Sequence, residues 1–405
     1  MQRPVVMALV WLFGLGGLGV WFPFISLYLD ENLGLSGTQL GMAIALIPLV
    51  GILAQPFWGQ ISDRSGSRAR VLALLALCSA GGYAMLSLPT SFVGISLAIA
   101  GLAFFSSALI PMYVSVTLAL TGDGNPRSFG LVRMWGTIGF LITVVGFPYL
   151  LDAHQAASGL VASPEAGLSE PGLEIMFPIA GALVAVSGLI ALAIPRGGAV
   201  SARAGGGDWR LLLRHGPFVR LLGFAFLAYF ALQGPQVLFP VFVRSLGGSI
   251  DSISQLWILM LLLEIPLIGF AGATLERIGA RGLLSVGVIA GGVRWIVCGL
   301  ASDLAWVYAV AALHGVVVMG LVIGGPLYVD QVVPQRLRST GQGLLAMLGV
   351  SLGGLCSNVG SGWLRDLTDT PTPYLWGGAA ALLLGLLVPV ILPKPTRPDE
   401  QASEE

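Results

Sequence analysis

Three residues stand out because apolar sequence surrounds them: Glu264, Arg294 and His314. An acid, a guanidinium and an imidazole together can take up a proton, pass it on and release it. A carboxylate withdrawn from water holds its proton more tightly, and one beside an arginine less tightly. Rearranging such a pair switches its proton affinity, which is what proton-coupled work requires. Each charge in a hydrocarbon core costs about 2.5–3.5 kcal/mol, so a charge there is a functional hypothesis by default. Two stripes have the residue types of a binding surface. Arg133, Thr137 and Phe140 recur at i, i+4 and i+7, putting cation, hydroxyl and ring on one helix face. Tyr229, Gln233 and Gln236 repeat that spacing. Amides and rings together suit a planar, hydrogen-bonding solute such as a nucleobase. The competing readings are structural: helix contact for the glutamines, an interhelical ion pair for Glu264, and a hydrogen-bonded packing role for His314.

The elements that position these residues are hydrophobic enough to fix the solvent. Of 405 residues, 56% are hydrophobic and 10% charged, against about a quarter charged in a soluble domain. Lipid is therefore the solvent for most of the chain. A net charge of zero excludes a nucleic-acid binder. Cys78, Cys298 and Cys356 lie in apolar runs as small packing residues, without metal-ligand spacing or a plausible disulfide. The first run, Val5 to Leu29, is too long for a signal peptide, contains Pro23 and lacks a small-x-small cleavage site, so it reads as a retained helix.

A bilayer core needs roughly 20 apolar residues per helix. Breaks at charged or Pro/Gly/Ser clusters predict spans at 5–29, 38–61, 70–88, 92–119, 129–151, 174–195, 216–243, 252–275, 282–300, 304–329, 339–364 and 372–392. The expected class is an all-α membrane protein with twelve transmembrane helices. Hydropathy alone leaves eleven open, because the third span is the shortest. The arginines decide between the counts. Twelve spans send sixteen Lys and Arg residues to one side and only Arg244 and Arg365 to the other, with Arg133 and Arg294 inside helices. Short loops rich in Lys and Arg stay in the cytoplasm, which puts both termini there and the chain in the cell's inner membrane. Depth then sorts the buried charges. Glu264, Arg294 and His314 fall near the middle of the eighth, ninth and tenth spans. Arg133 is about six residues into the fifth, roughly 9 Å deep, within snorkelling reach of the cytoplasm.

Three stretches have no membrane character. Asp152 to Glu174 reads as a periplasmic loop with four acidic residues and no Lys or Arg. Gly197 to Asp208 is a Gly/Ala linker at the midpoint, and the tail from Lys394 is Pro-rich and acidic, with the composition of a disordered segment. The expected organisation is an N-terminal six-helix bundle over 1–195, a linker over 196–213, a C-terminal bundle over 214–393 and a tail over 394–405. The glycines of the first span (Gly14, Gly16, Gly17, Gly19) and of the eleventh suit close helix packing. Trp21-Phe22-Pro23-Phe24 with Tyr28 reads as an interfacial aromatic belt.

An internal repeat joins the halves. Gly59-Gln-Ile-Ser-Asp63-Arg64-Ser-Gly66-Ser-Arg68 follows the second span, and Gly272-Ala-Thr-Leu-Glu276-Arg277-Ile-Gly279-Ala-Arg281 follows the eighth. Gly59, Asp63, Arg64, Gly66 and Arg68 have counterparts 213 residues later in Gly272, Glu276, Arg277, Gly279 and Arg281. Glycines let helix ends approach, and an acid beside arginines makes a pair that can hold a cytoplasmic gate shut and part when it opens. The pattern resembles the G-x-x-x-D-R-x-G-x-R loop of the major facilitator superfamily, and the resemblance covers the whole chain. It implies two pseudo-symmetric six-helix bundles rocking about a site near the bilayer midplane.

Other segments narrow the resemblance. Arg133-Met-Trp-Gly-Thr-Ile-Gly139-Phe140 resembles the R-x-W-G-T-x-G-F segment of the nucleoside:proton symporters. Leu327-Tyr328-Val329-Asp330, followed by Arg338-Ser-Thr-Gly-Gln342-Gly343-Leu344, is similar to the link between helices 10 and 11 in that branch, which also holds the phenylpropionate permeases. The resemblance implies that Arg133, Thr137, Phe140, Gln233, Gln236 and Glu264 line the substrate site, with Glu264 central to coupling. The chain departs from the nucleoside permeases at Leu261, where an amide is expected, and at His314 and Met319, where a tyrosine and an acid are expected. Glu264, Arg294 and His314 echo the arrangement of lactose permease better, although Val317 replaces its acid three residues after the histidine.

The leading expectation is proton-coupled uptake of a small polar solute, nucleoside-like, by a monomer that needs no cofactor or metal. Tyr229 and His314 join the expected substrate-binding set. Two intramembrane arginines against one carboxylate suit an aromatic carboxylate as well, and a sugar stays open. Efflux by proton antiport is the rival, but Val145-Gly146-Phe147-Pro148-Tyr149 stands where efflux members carry G-P-x-x-G-G. A non-transporting membrane sensor would have no use for Glu264. No nucleotide-binding loop or nucleophile–base pair points to an enzyme.

Overall fold

The computed structural model describes residues 3–121, 126–162, 170–194, 209–269 and 271–394. These residues are helical, with no strand among them. Twelve spans follow in order: α1 Pro4–Asn32, α2 Gly37–Arg64, α3 Arg68–Met85, α4 Phe92–Leu120, α5 Ser128–Ser158, α6 Leu173–Ala191, α7 Gly216–Ser245, α8 Ile250–Leu267, α9 Thr274–Leu300, α10 Leu313–Val332, α11 Gln335–Leu367 and α12 Thr372–Ile391. Eleven of these are long and apolar enough to cross a membrane. The exception is α3, which opens on Arg68 and Arg70. The chain is thus an all-α membrane protein.

Local chemistry sets the helix boundaries. Ser36 and Gln39 form a capping box at the start of α2, each side chain accepting the other's backbone N–H at 3.3 and 3.2 Å. Asp303 accepts the N–H of Ala305 at 2.8 Å and starts Leu304–Val310, the helical turn leading into α10. The repeated motif reappears in the backbone. Gly66 and Gly279 hold φ of +67° and +70°, a left-handed conformation that side chains other than glycine adopt at a cost. Gly279, with φ +70° and ψ 172°, breaks the run Ala271–Leu300 into two helices. Glu276 and Arg277 lie in the helical turns before that break and are exposed, where the sequence suggests a loop.

The chain divides into two compact units. The first comprises residues 1–202 with 249–258, and the second 203–248 with 259–405. The opening turns of α8 therefore group with the first unit, a division that the hydropathy does not reveal. Within the first unit, α1 packs through its glycines: a Cβ on Gly17 would sit 2.6 Å from Val184 of α6, and Gly139 of α5 meets the carbonyl of Leu12. Within the second, a Cβ on Gly287 of α9 would lie 2.6 Å from the Cα of Gly320 in α10. Such small-residue contacts supply helix association where lipid removes the hydrophobic drive.

Two expectations are corrected. The helix of α5 continues to Ser158, so the loop once placed from Asp152 begins later. Most of the Trp21–Tyr28 aromatics do not form a belt. The helix breaks at residues 22–24 around Pro23; Phe22 stays 37% exposed, whereas the rings of Trp21, Phe24 and Tyr28 turn inward and are 5%, 0% and 4% exposed. They pack on Tyr83, Phe147 and Phe177 at 5.6, 4.9 and 5.0 Å. Of the linker 196–213, residues 196–208 lie outside the described residues, as do the tail beyond Lys394 and the packing of Gly272.

An added Cβ at Gly66 or Gly279 would meet nothing within 4 Å, so substitution there tests backbone conformation alone. Gly66→Ala and Gly279→Ala should each lower stability by about 1–2 kcal/mol, read as a fall in thermal midpoint in detergent. Unchanged midpoints would count against the positive φ.

Candidate functional site

In the second unit α7, α8, α9 and α10 converge on Arg294, which is 2% exposed. Its Nη1 donates to Gln236 Oε1 at 2.9 Å and lies 3.2 Å from His314 Nδ1, while Nη2 points to Met260 Sδ at 3.0 Å. The guanidinium carbon rests 4.1 Å from the Trp295 ring centroid and 5.1 Å from that of Phe239, as cation–π attraction favours. A guanidinium only donates, so His314 Nδ1 must accept and the ring proton sits on Nε2. That nitrogen faces Glu264 Oε2 at 3.6 Å, an electrostatic contact slightly longer than a hydrogen bond. The order is Gln236, Arg294, His314, Glu264. The three intramembrane ionisable groups do meet, but His314 stands between the acid and the arginine.

The backbone makes this approach possible. A Cβ on Gly315 would come within 2.8 Å of the Cα and 3.2 Å of the nitrogen of Glu264. Glycine next to His314 thus lets α10 lie directly on the α8 backbone. On α7, Ser357 of α11 enters the helix ladder: Gly234 N–H donates to its Oγ at 2.6 Å, and the hydroxyl donates to the Phe230 carbonyl at 2.6 Å. Pro235, which lacks an N–H, follows at once, and Tyr374 donates to its carbonyl at 2.9 Å. The Ser357 hydroxyl thus bridges the N–H and the carbonyl of an i, i+4 pair on α7 in the turn before Gln236.

A cavity of about 130 Å³ borders the cluster, lined by Tyr229, Gln233, Gln236, Arg294 and His314 on its polar side and by Leu232, Val317 and Leu321 among others. Gln236 Nε2 is buried without a hydrogen-bond partner among the described residues. Since Arg294 occupies the oxygen of that amide, its NH2 is the group left to meet a solute.

The fifth-span stripe belongs to the first unit. Arg133 is exposed, with its guanidinium carbon 5.8 Å from the Trp11 ring. Thr137 is half-buried, and Phe140 is buried with its ring 6.1 Å from Trp257. Trp11 is itself held by an N–H donated to Thr117 Oγ1 at 2.8 Å. In the motif after α2, Arg68 pairs with Asp63 at 3.2 Å. The counterpart Arg281 instead donates to the Leu392 carbonyl at the end of α12 at 3.3 Å, where a helix C-terminus attracts a cation.

Sequence reasoning missed Met260, Trp295, Gly315 and Ser357. Met260 lies four residues before Glu264, so helical spacing alone would place it on the same face. Nothing in the sequence marks Ser357.

Two compact helical units, with ionisable groups buried among apolar helices of the second, have the build of a membrane transporter. Residues 5–375 match the model described as MFS_1 like family, and the chain belongs to that family of the major facilitator superfamily. The maltose permease of Geobacillus stearothermophilus is 28% identical over 98% of this chain and 96% of its own. An uncharacterized transporter of Bacillus subtilis, YwbF, is 28% identical over 92% and 89%. The crystal structure of the nucleoside transporter NupG superposes with a TM-score of 0.82 at 18% identity, covering 96% of this chain and 99% of that one, a likeness of fold.

Gly315→Ala should push α10 off α8 and part His314 from Glu264. The expected cost is about 1–3 kcal/mol, measured as a lowered thermal midpoint; an unchanged midpoint would show that the helices separate freely there.

Proposed function

We propose that this transporter is a proton-coupled symporter that takes up a small neutral polar solute, nucleoside-like, by alternating access in the inner membrane, with both termini in the cytoplasm. The observation that carries this reading is the chain of contacts from Gln236 through Arg294 and His314 to Glu264. Glu264 is the proton site. A proton arriving there removes the negative charge facing His314 Nε2 and weakens that contact, while the contact of Nδ1 with Arg294 remains. His314 and Gln236 share the Nη1 of Arg294, so displacement of the ring shifts the guanidinium and with it the Gln236 amide. Proton and solute thereby act on one hydrogen-bonded chain. Reversal of the steps on the opposite side of the membrane releases both.

The solute is read as neutral because Arg294 has both terminal nitrogens engaged and is almost wholly buried, leaving no fork to clamp a carboxylate. Tyr229, Gln233 and the Gln236 NH2 supply hydrogen bonds of the kind a nucleobase or ribose accepts, and NupG is a nucleoside transporter by name. A sugar is the second reading, favoured by the near full-length similarity to a maltose permease. Arg133, Thr137 and Phe140 are proposed as the substrate-contacting residues of the first unit. The two motif loops are proposed as the cytoplasmic gate.

In proteoliposomes, Glu264→Gln should abolish uptake driven by a pH gradient while sparing counterflow exchange. Full gradient-driven uptake by that variant would overturn the assignment. At the gate, Asp63→Asn removes the charge facing Arg68 and should slow transport at least several-fold with little change in solute affinity, since an exposed pair contributes under about 1 kcal/mol to static stability. An unchanged rate would remove Asp63 from the gate.

A further inference from the structure

A second cavity, of about 320 Å³, adjoins the polar chamber within the same unit, and Tyr229, Leu321 and Val322 line both. Its remaining walls are almost entirely apolar, Phe224, Leu284 and Leu345 among them. Apart from Tyr229 at the junction, the polar side chain on it is Gln342, whose Nε2 is spent on the Pro326 carbonyl at 2.9 Å and on Asp330 at 3.3 Å. An apolar cavity of about 150 Å³ stays dry and accepts a benzene molecule, so this one is ample for a ring.

The helices that shape it are irregular where they do so. Met319–Ile323 of α10 and Leu345–Ser351 of α11 are π-helical. The first segment contributes Leu321 and Val322, and the second Leu345, Ala346 and Val350. A π turn inserts a residue at a cost in hydrogen-bond geometry and recurs at functional sites. Two such segments thus contribute to the lining of one cavity.

We propose that the solute site is bipartite: the small chamber takes the hydrogen-bonding group, and the larger one takes an aryl group attached to it. The inference rests on the preceding reading of the polar chamber and narrows the substrate class to neutral, hydrogen-bonding solutes that carry an apolar ring. Burial of the ring supplies affinity, and the amides of Gln233 and Gln236 supply orientation.

The test compares matched pairs that differ by one ring, uridine against 5-benzyluridine and methyl glucoside against phenyl glucoside, binding to the full-length protein in detergent by titration calorimetry. The ring-bearing member of at least one pair should bind about ten-fold tighter, at the low end of what burying one ring contributes. Gly325→Val should erase that advantage: a Cβ there meets the flexible Leu345 side chain at 3.4 Å, so the added methyls fill the apolar chamber. Ala346→Leu fills it from α11 and replaces the first variant if that one fails to fold. Equal binding of both members in the unmodified protein, or a ring advantage that survives filling, overturns the bipartite site while leaving the polar chamber intact. Failure of every parent and every ring-bearing member to bind overturns the polar chamber and the bipartite site together.

Discussion

A guanidinium buried among transmembrane helices dictates much of the second unit. Removing a charge from water costs several kcal/mol unless the protein replaces the lost hydration. For Arg294 the replacement comes from four helices: an amide oxygen from α7, a thioether from α8, its own neighbour Trp295 on α9 and an imidazole nitrogen from α10. None of these partners carries a full negative charge. The balancing carboxylate, Glu264, lies one residue further away behind His314. The helices must therefore approach closely enough for neutral groups to reach the arginine. The contacts of Gly287 with Gly320 and of Gly315 with Glu264 are where that approach occurs.

The two copies of the motif show which features the repeat keeps and which it releases. Gly66 and Gly279 keep the same positive φ to within a few degrees, each where the chain breaks from one helical run into another. The charges are freer. Arg68 closes on Asp63, whereas Arg281 reaches a carbonyl at the end of α12. Backbone geometry is shared by the halves, and the buried ionisable chemistry is not: Glu264, Arg294 and His314 all belong to the second unit, and the first offers Arg133 over Trp11.

Most of the architecture was legible in the sequence because lipid makes two demands that composition records. Each span needs its apolar length, and each cytoplasmic loop its arginines, which is how α3 was recognised despite Arg68 and Arg70 in its first turn. The midplane charges were legible for the same reason, since Glu264, Arg294 and His314 interrupt apolar runs. Their order was not. Whether His314 stands beside or between the other two depends on helix rotation, and that is set by glycine contacts whose partners are distant in sequence. The Trp21–Tyr28 rings were misread because a belt and an inward-turned cluster have the same composition, and the break around Pro23 decides between them. The hydroxyl of Ser357 in the α7 ladder and the π turns of α10 and α11 left no periodic trace, as each alters a single turn.

Those untraced features sit at the one residue that links proton chemistry to solute chemistry on the proposed reading. Gln236 is held at its oxygen by Arg294 and bare at its nitrogen. A rigid helix would fix that amide whatever happened at Glu264. Here Ser357 engages the Gly234 N–H and the Phe230 carbonyl just before it, and α7 lacks a ladder donor at Pro235, so the turn bearing Gln236 has one backbone hydrogen bond fewer than a regular helix. The same glutamine can then follow the arginine when the acid changes charge and present its donors differently to the chamber. Coupling on this view requires no long-range pathway: a buried cation held by neutral groups, next to a helix turn that lacks a backbone donor at Pro235, places both events within one shared set of hydrogen bonds.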